Sequence, residues 1–350
     1  MKQFNLLFLA FVALLASCNT NKAKYENATS FTYTDFKNQK DLKATTLEFD
    51  SLIMRAVDLV TFDSILITIE MGKENIFHVY NMKTKKHINQ SVKRGQGPED
   101  MIYPQFMNSD ANCLRIFDLQ TYMVYEYDAQ NFIANPTPTP TKRTKLENQV
   151  FTMAEKVDDK IFGNAYYGVD EQLYVFDLNG KKTETIIDYP ATPFLQTDIE
   201  KIDGFYKKFT SNDKDKLALC YYMTDLIEIY NLDGTLQKRI HGPEQFFTHF
   251  KEYQDGRIGA SPVKDLNRDA FMCPKNAGDE FFVLYNGGFI DEPDHSSSSK
   301  QLFSFSWDGT PQAIYTLDDP IYHFSVNSDN KRIYGISITP EYHVVEYSYE

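Results

Sequence analysis

The chain has 350 residues, with 36 Lys and Arg against 49 Asp and Glu, for a net charge of −13. That length allows one large β-architecture or two ordinary domains, while the acidic balance and the lack of long basic runs argue against nucleic acid and against a charge-driven grip on anionic lipid. The 23 Tyr and 27 Phe, beside the single Trp307, favour strands.

At the N-terminus, Lys2 precedes an apolar run from Phe4 to Leu15 broken only by Asn5. This is the charged start and apolar core of a secretory signal, too short for the roughly 20 residues that span a bilayer. Leu15-Ala16-Ser17-Cys18 resembles the lipobox of bacterial lipoproteins. The resemblance implies cleavage before Cys18, a lipid on its thiol, and a place in the cell envelope. The outer membrane is the expected site, with the periplasmic and surface faces both left open. Residues 1–17 are then a signal peptide. Residues 18–44 are expected to be the lipidated N-terminus and a tether, because 19–30 are polar and hold one aromatic, Tyr25. Residues 45–350 form the folded body. Of the remaining cysteines, Cys113, Cys220 and Cys273, an odd count leaves a free thiol. Cys113 and Cys220 sit in apolar runs and read as small buried hydrophobes.

Along the body one phrase recurs: an alternating strand ending in Tyr or Phe, then Asp or Asn, a turn, and a further strand. Tyr80, Tyr127, Phe176 and Tyr230 mark it at intervals of 47–54 positions, and Phe305 follows an insertion. Asn179-Gly180, Asp233-Gly234 and Asp308-Gly309 supply hairpin turns, expected with positive φ at both residues. After Tyr127, Phe132-Ile133 is expected to open the outer strand. Second strands are expected at 66–69, 114–117, 217–220 and 281–284. A repeat near 40–50 residues with four strands marks a propeller blade. The C-terminal copy stops after three strands, while Thr45-Thr46-Leu47-Glu48-Phe49 is an orphan strand at the start. A ring closed by that strand leaves no bare edge. The expectation is an all-β, six-bladed propeller of four-stranded antiparallel blades, the last completed by the N-terminal strand.

Arg94-Gly95-Gln96-Gly97-Pro98-Glu99-Asp100 follows the first outer strand, and Gly242-Pro243-Glu244 follows the fourth. This resembles the Gly-x-Gly-Pro-x-Glu turn of the TolB-like six-bladed propeller lipoproteins of Bacteroidetes. The resemblance covers nearly the whole mature chain. It implies the fold and an envelope location, and no catalytic residues. Asp100 stands where that family often has an aromatic, and Glu99 follows Pro98 directly. The turns serve equally well as blade connectors, with Gly for the bend and Pro fixing φ.

In a propeller the links from outer to next inner strand share a face with those from second to third strand. The two longest links, 241–267 and 286–300, are of these kinds, so they should lie side by side. They carry Phe246, Phe247, Phe250, Tyr253 and Phe289 with Glu244 and Asp291. Candidate binding-face residues are Arg94, Glu99, Tyr166, Tyr167, His241, Glu244, Tyr253 and Phe289. Phe246, Phe247 and Phe250 could equally form a small core under the loop. His241, Glu244 and His249 lack a metal-ligand spacing, and no catalytic motif or cofactor signature is present. The leading expectation is a non-enzymatic, envelope-anchored binding or scaffold propeller for a protein, peptide or glycan partner, with no cofactor, metal or nucleic acid. A propeller hydrolase or lyase acting on glycan is the alternative. It needs carboxylates or histidines converging on the central channel, where Asp58, Asp269 and His323 are the candidates.

Overall fold

The computed structural model describes residues 24–147, 150–165, 171–186, 189–192, 197–252, 254, 258–259, 263–292 and 296–350. Six antiparallel blades follow one another in chain order. Their inner strands are Ala56–Phe62, Pro104–Phe106, Val150–Val157, Lys207–Ser211, Phe271–Asn276 and His323–Asn327. The second and third strands are nearly continuous apolar runs, as in Ile65–Glu70 and Leu226–Asn231, where five residues in a row are buried. Blades stack face to face, so both sides of these strands are covered. Between blades four and five, for example, Ile227 and Ile229 pack with Phe281, Val283, Phe303 and Phe305.

Blade six has three strands of its own, and Thr45–Thr46 is its fourth. Thr46 faces Val345, Thr45 faces Glu346, and the Leu47 N–H donates to Val344 O at 2.8 Å. Leu47 is buried against Ile336 and Val344 of blade six and Leu59 and Tyr80 of blade one, so ring closure is also a packing event.

The structure corrects three local expectations. At the Asn-Gly and Asp-Gly hairpins only the glycine has positive φ: 84° at Gly180, 85° at Gly234 and 81° at Gly309. Each ladder also shifts register there. These are ordinary turns followed by a glycine bulge, the three-residue hairpin connection. In blade two, Phe132-Ile133 lies in the helix Ala129–Ala134, and the outer strand is Lys142–Lys145. Asp128 caps that helix by accepting from the Asn131 N–H at 2.7 Å, and Phe132 meets Tyr127 edge-on at 4.9 Å. The third correction concerns the tether.

From Tyr25 onward the N-terminal segment is a docked belt. Thr29–Ser30 pairs parallel with the outer strand of blade four, and Asn38–Leu42 pairs parallel with that of blade five. Tyr25, Phe31, Phe36 and Leu42 are 3–6% exposed. Phe31 and Phe36 wedge against Phe303 and Phe305 at 4.8–5.5 Å. The belt thus covers two sheet edges that would otherwise present unpaired N–H and C=O groups, before its last strand closes the ring.

Candidate functional site

Chain direction fixes which face each connection occupies. The links entering inner strands and those joining second to third strands share one face, here called the loop face. The other face carries short polar turns such as 63–64, 158–159 and 212–215. On the loop face the described parts of the two long connections interlock. Ile290 N–H donates to Asn267 O at 3.1 Å, Gly287 N–H to Asp269 O at 2.8 Å, and Arg268 Nε to Gly287 O at 2.7 Å. The Arg268 guanidinium lies between the rings of Phe246 (4.9 Å) and Phe289 (5.0 Å), and its Nη1 pairs with Glu244 at 2.5 Å.

The loop root is set by Asp225, a fully buried carboxylate. It accepts the N–H groups of Glu244, Gln245 and Phe246 at 2.7–3.0 Å and lies 3.1 Å from His241 Nε2. The long connection is therefore held by charge-assisted bonds at its base. The belt reaches it too, since Tyr33 OH donates to Glu244 at 2.9 Å.

The inner strands bring a charged cluster into the channel. Asp58 accepts from Phe106 N–H at 2.9 Å, lies 3.2 Å from His323 Nδ1 and 3.8 Å from Lys275 Nζ. Burial alone would raise its carboxyl, but Lys275, His323 and the Phe106 N–H outweigh this and hold it well below the ordinary range. Glu155 accepts from Asn108 N–H at 2.7 Å, and burial pushes its carboxyl up to about 8. The void that both carboxylates line measures ≈ 30 Å³. On the loop-face side of this plug lies a cavity of ≈ 160 Å³. Its lining includes Tyr206, Lys208, Tyr222, Cys273, Tyr322 and His323. On the opposite face a polar cavity of ≈ 390 Å³ is lined by Asn108, Arg115, Lys156 and Asp213, among others.

The structure places the sequence candidates unequally. His241 is buried at 1% exposure and committed to Asp225. Glu244 and Phe289 hold Arg268, so both act within the protein as loop braces. Phe246 and Phe247 are half-buried and pack onto two different blade cores. Glu99 pairs with Arg143 of blade two, and the Arg94 guanidinium lies 5.5 Å from the Tyr103 ring centre, so the 94–100 turn joins blades one and two. Cys18, Tyr166, Tyr167 and Tyr253 lie outside the described residues. Asp58 and His323 do converge, while Asp269 sits in the loop and accepts from Tyr222 OH at 2.8 Å. Cys113, Cys220 and Cys273 are all free thiols. Among the described residues, no three His, Cys, Asp or Glu side chains are arranged to hold a metal ion, and no helix is long and apolar enough to cross a membrane.

Sequence reasoning missed Glu155, Lys208, Cys273 and Lys275 of the channel. The available signal was position on an inner strand. It also missed the distribution of exposed apolar side chains. Among the described residues the large ones are Leu52, Met54, Ile88, Tyr103, Leu266 and Tyr342. Leu52, Met54, Tyr103 and Leu266 lie in links that enter inner strands, and Tyr342 in a link from second to third strand, so five of the six are on the loop face.

A family model described as TolB-like 6-blade propeller-like matches residues 35–329. Among solved structures, a member of the DUF4221 family from Bacteroides vulgatus superposes with a TM-score of 0.56 at 10% identity. It covers 88% of this chain and 96% of its own. A protein from Bacteroides fragilis whose description calls it exported superposes with a TM-score of 0.52 at 12% identity, covering 91% and 99%. At these identities the likeness is one of fold. No curated protein matches the chain. With the family model spanning most of the sequence and the six blades closed as described, the chain belongs to the TolB-like six-bladed propeller family.

Proposed function

We propose that this protein is a lipid-anchored, non-enzymatic binding or scaffold module of the cell envelope, and that it engages a protein or peptide partner through its loop face. The observation that carries this is the one-sided placement of exposed apolar side chains. Single exposed apolar residues are ordinary on any protein. Five of six on one face, the same face that carries the long loops braced by Asp225 and Arg268, are better accounted for by a docking surface. A glycan could use the same face.

Lipidation at Cys18 fits the belt. The buried Tyr25 comes only seven positions after Cys18. At ~3.3–3.6 Å per residue the link reaches about 25 Å at most. The blade-four edge would then stay close to the bilayer.

The enzymatic alternative has one feature in its favour. Asp58 and Glu155 are carboxylates whose surroundings push them in opposite directions, as an acid and base pair requires. The void between them is the size of about one water, and Asp58 is committed to Lys275, His323 and Phe106. That arrangement fits a structural plug better than a sugar subsite.

The test compares wild type with a Leu52→Ser, Tyr103→Ser, Leu266→Ser variant in co-purification from envelope extract. An envelope partner retained by wild type and lost by the variant, with the melt unchanged, supports the proposal. Equal retention by both moves the interface elsewhere.

A further inference from the structure

Cys273 stands apart from the other two described thiols. Cys220 is fully buried, and burial pushes its thiol far above the usual range; burial also raises Cys113. Cys273 lies at the loop-face mouth of the channel and lines both the ≈ 160 Å³ cavity and the smaller void beneath it. Its backbone is left-handed, with φ of 52°, at a bulge between Met272 and Lys275. Non-glycine residues seldom adopt this conformation, and bulges re-aim side chains.

Its neighbours come from several blades. His323 of blade six interacts with the thiol and is held through Nδ1 by Asp58 of blade one at 3.2 Å. With Nδ1 engaged, Nε2 is the ring nitrogen left for sulfur. Lys208 of blade four and Lys275 on the same strand add positive charge, and Glu155 of blade three lies below. Tyr206, Tyr222 and Tyr322 wall the cavity, and the Tyr322 carbonyl accepts from Sγ at 3.2 Å. Lys208 lines the cavity and makes no ion pair among the described residues.

We propose that Cys273, His323 and Asp58 form a nucleophilic thiol site that captures a small, carboxylate-bearing disulfide through thiol–disulfide exchange. His323 takes the thiol proton. The thiolate attacks one sulfur of the small disulfide RSSR, a new Sγ–S bond forms and the original S–S bond breaks. The departing thiolate takes the proton back from His323 and leaves as RSH. Cys273 is oxidised to the mixed disulfide and half of RSSR is reduced. Lys208 would receive the carboxylate, and the cavity admits only a small R group. Cys113 and Cys220 belong to other blades. The adduct therefore persists until an external thiol removes it.

The electrostatics support the geometry. Burial would raise the Cys273 thiol, but His323, Lys208 and Lys275 outweigh it and bring it down to about 7. Burial would lower His323, but Cys273 and Asp58 raise it. A thiol titrating near neutrality is well matched to exchange at that pH.

The experiment uses the full-length folded protein, with cystine as probe and timed peptide mapping by mass spectrometry for both the site and the rate of modification. Among Cys113, Cys220 and Cys273, only Cys273 should be modified, with a rate half-maximal near pH 7. His323→Asn should move that midpoint towards the ~8.5 of an ordinary thiol. Lys208→Ala should slow cystine several-fold while leaving the uncharged 2-hydroxyethyl disulfide unchanged. The proposal is overturned if Cys273 reacts only after denaturation. It is equally overturned if the folded protein titrates like a free thiol and His323→Asn leaves the profile where it was.

Discussion

Replacing Phe36 with Ala tests whether the N-terminal segment is a belt. Phe36 is 6% exposed and meets Phe31, Phe303 and Phe305 at 5.9, 4.8 and 5.4 Å. Buried Phe→Ala changes cost ~3–5 kcal/mol in transfer and cavity terms. A body of about 300 residues unfolds with an entropy near 0.6 kcal/mol/K, at about 2.1 cal/mol/K per residue, so that cost reads as a fall in Tm of about 5–8 °C. The belt could also detach before the ring melts, so amide exchange over 38–42 is measured alongside. Wild type should protect these amides through their pairing with blade five, and Phe36→Ala should expose them. A melt unchanged within ~1 °C, together with unprotected amides in wild type, would return the segment to a tether.

Three further outcomes are expected. Cys18→Ser should abolish lipid labelling and release the protein from membranes; retention on membranes through a salt wash would contradict the anchor. Leu47→Ala, at a site 4% exposed between blades six and one, should cost ~2–5 kcal/mol in urea unfolding, and a loss under ~0.5 kcal/mol would mean that closure does not depend on this strand's packing. Glu155 titrates near 8 when folded and near 4.5 when unfolded, so the folded state holds its proton more tightly. Its contribution is fully present below about pH 4.5 and is lost as pH rises towards 8. Glu155→Gln should therefore flatten the fall of Tm over that range, and an unaltered slope would show that Glu155 is ionised in the fold.

The architecture was legible because blade strands are written redundantly. The apolar runs and their Tyr or Phe endings recur with the blade, and Asp-Gly or Asn-Gly marks several turns, so one misjudged strand does not disturb the count. The failures occurred where hydrophobicity carries no signal. Lys142–Lys145 is a charged outer strand without an apolar pattern, while the apolar pair Phe132-Ile133 lies in a helix whose only local sign is the Asp128 cap. The belt was hidden because Asn38–Leu42 pairs through its backbone and buries only Leu42. Lone aromatics such as Phe31 and Phe36 show no period. The loop pairing followed from topology, but the roles of its residues did not. Glu244 and His241 look available for a ligand until Arg268 and Asp225, distant in sequence, are seen to hold them. The channel cluster draws single residues from several blades, and no local pattern assembles Asp58, Glu155, Lys208, Cys273, Lys275 and His323.

The loop face as a docking surface is open to direct measurement. Its decisive measurement is the affinity of an envelope partner, identified by co-purification, for wild type and for the Leu52→Ser, Tyr103→Ser, Leu266→Ser variant. These side chains are 80%, 50% and 44% exposed, so the melt should hardly move. The account predicts at least a tenfold weaker Kd for the variant, about 1.4 kcal/mol, with Ile88→Ser on the blade-one outer strand binding as wild type. Unchanged affinity in the triple variant, or an equal loss from Ile88→Ser, would contradict it.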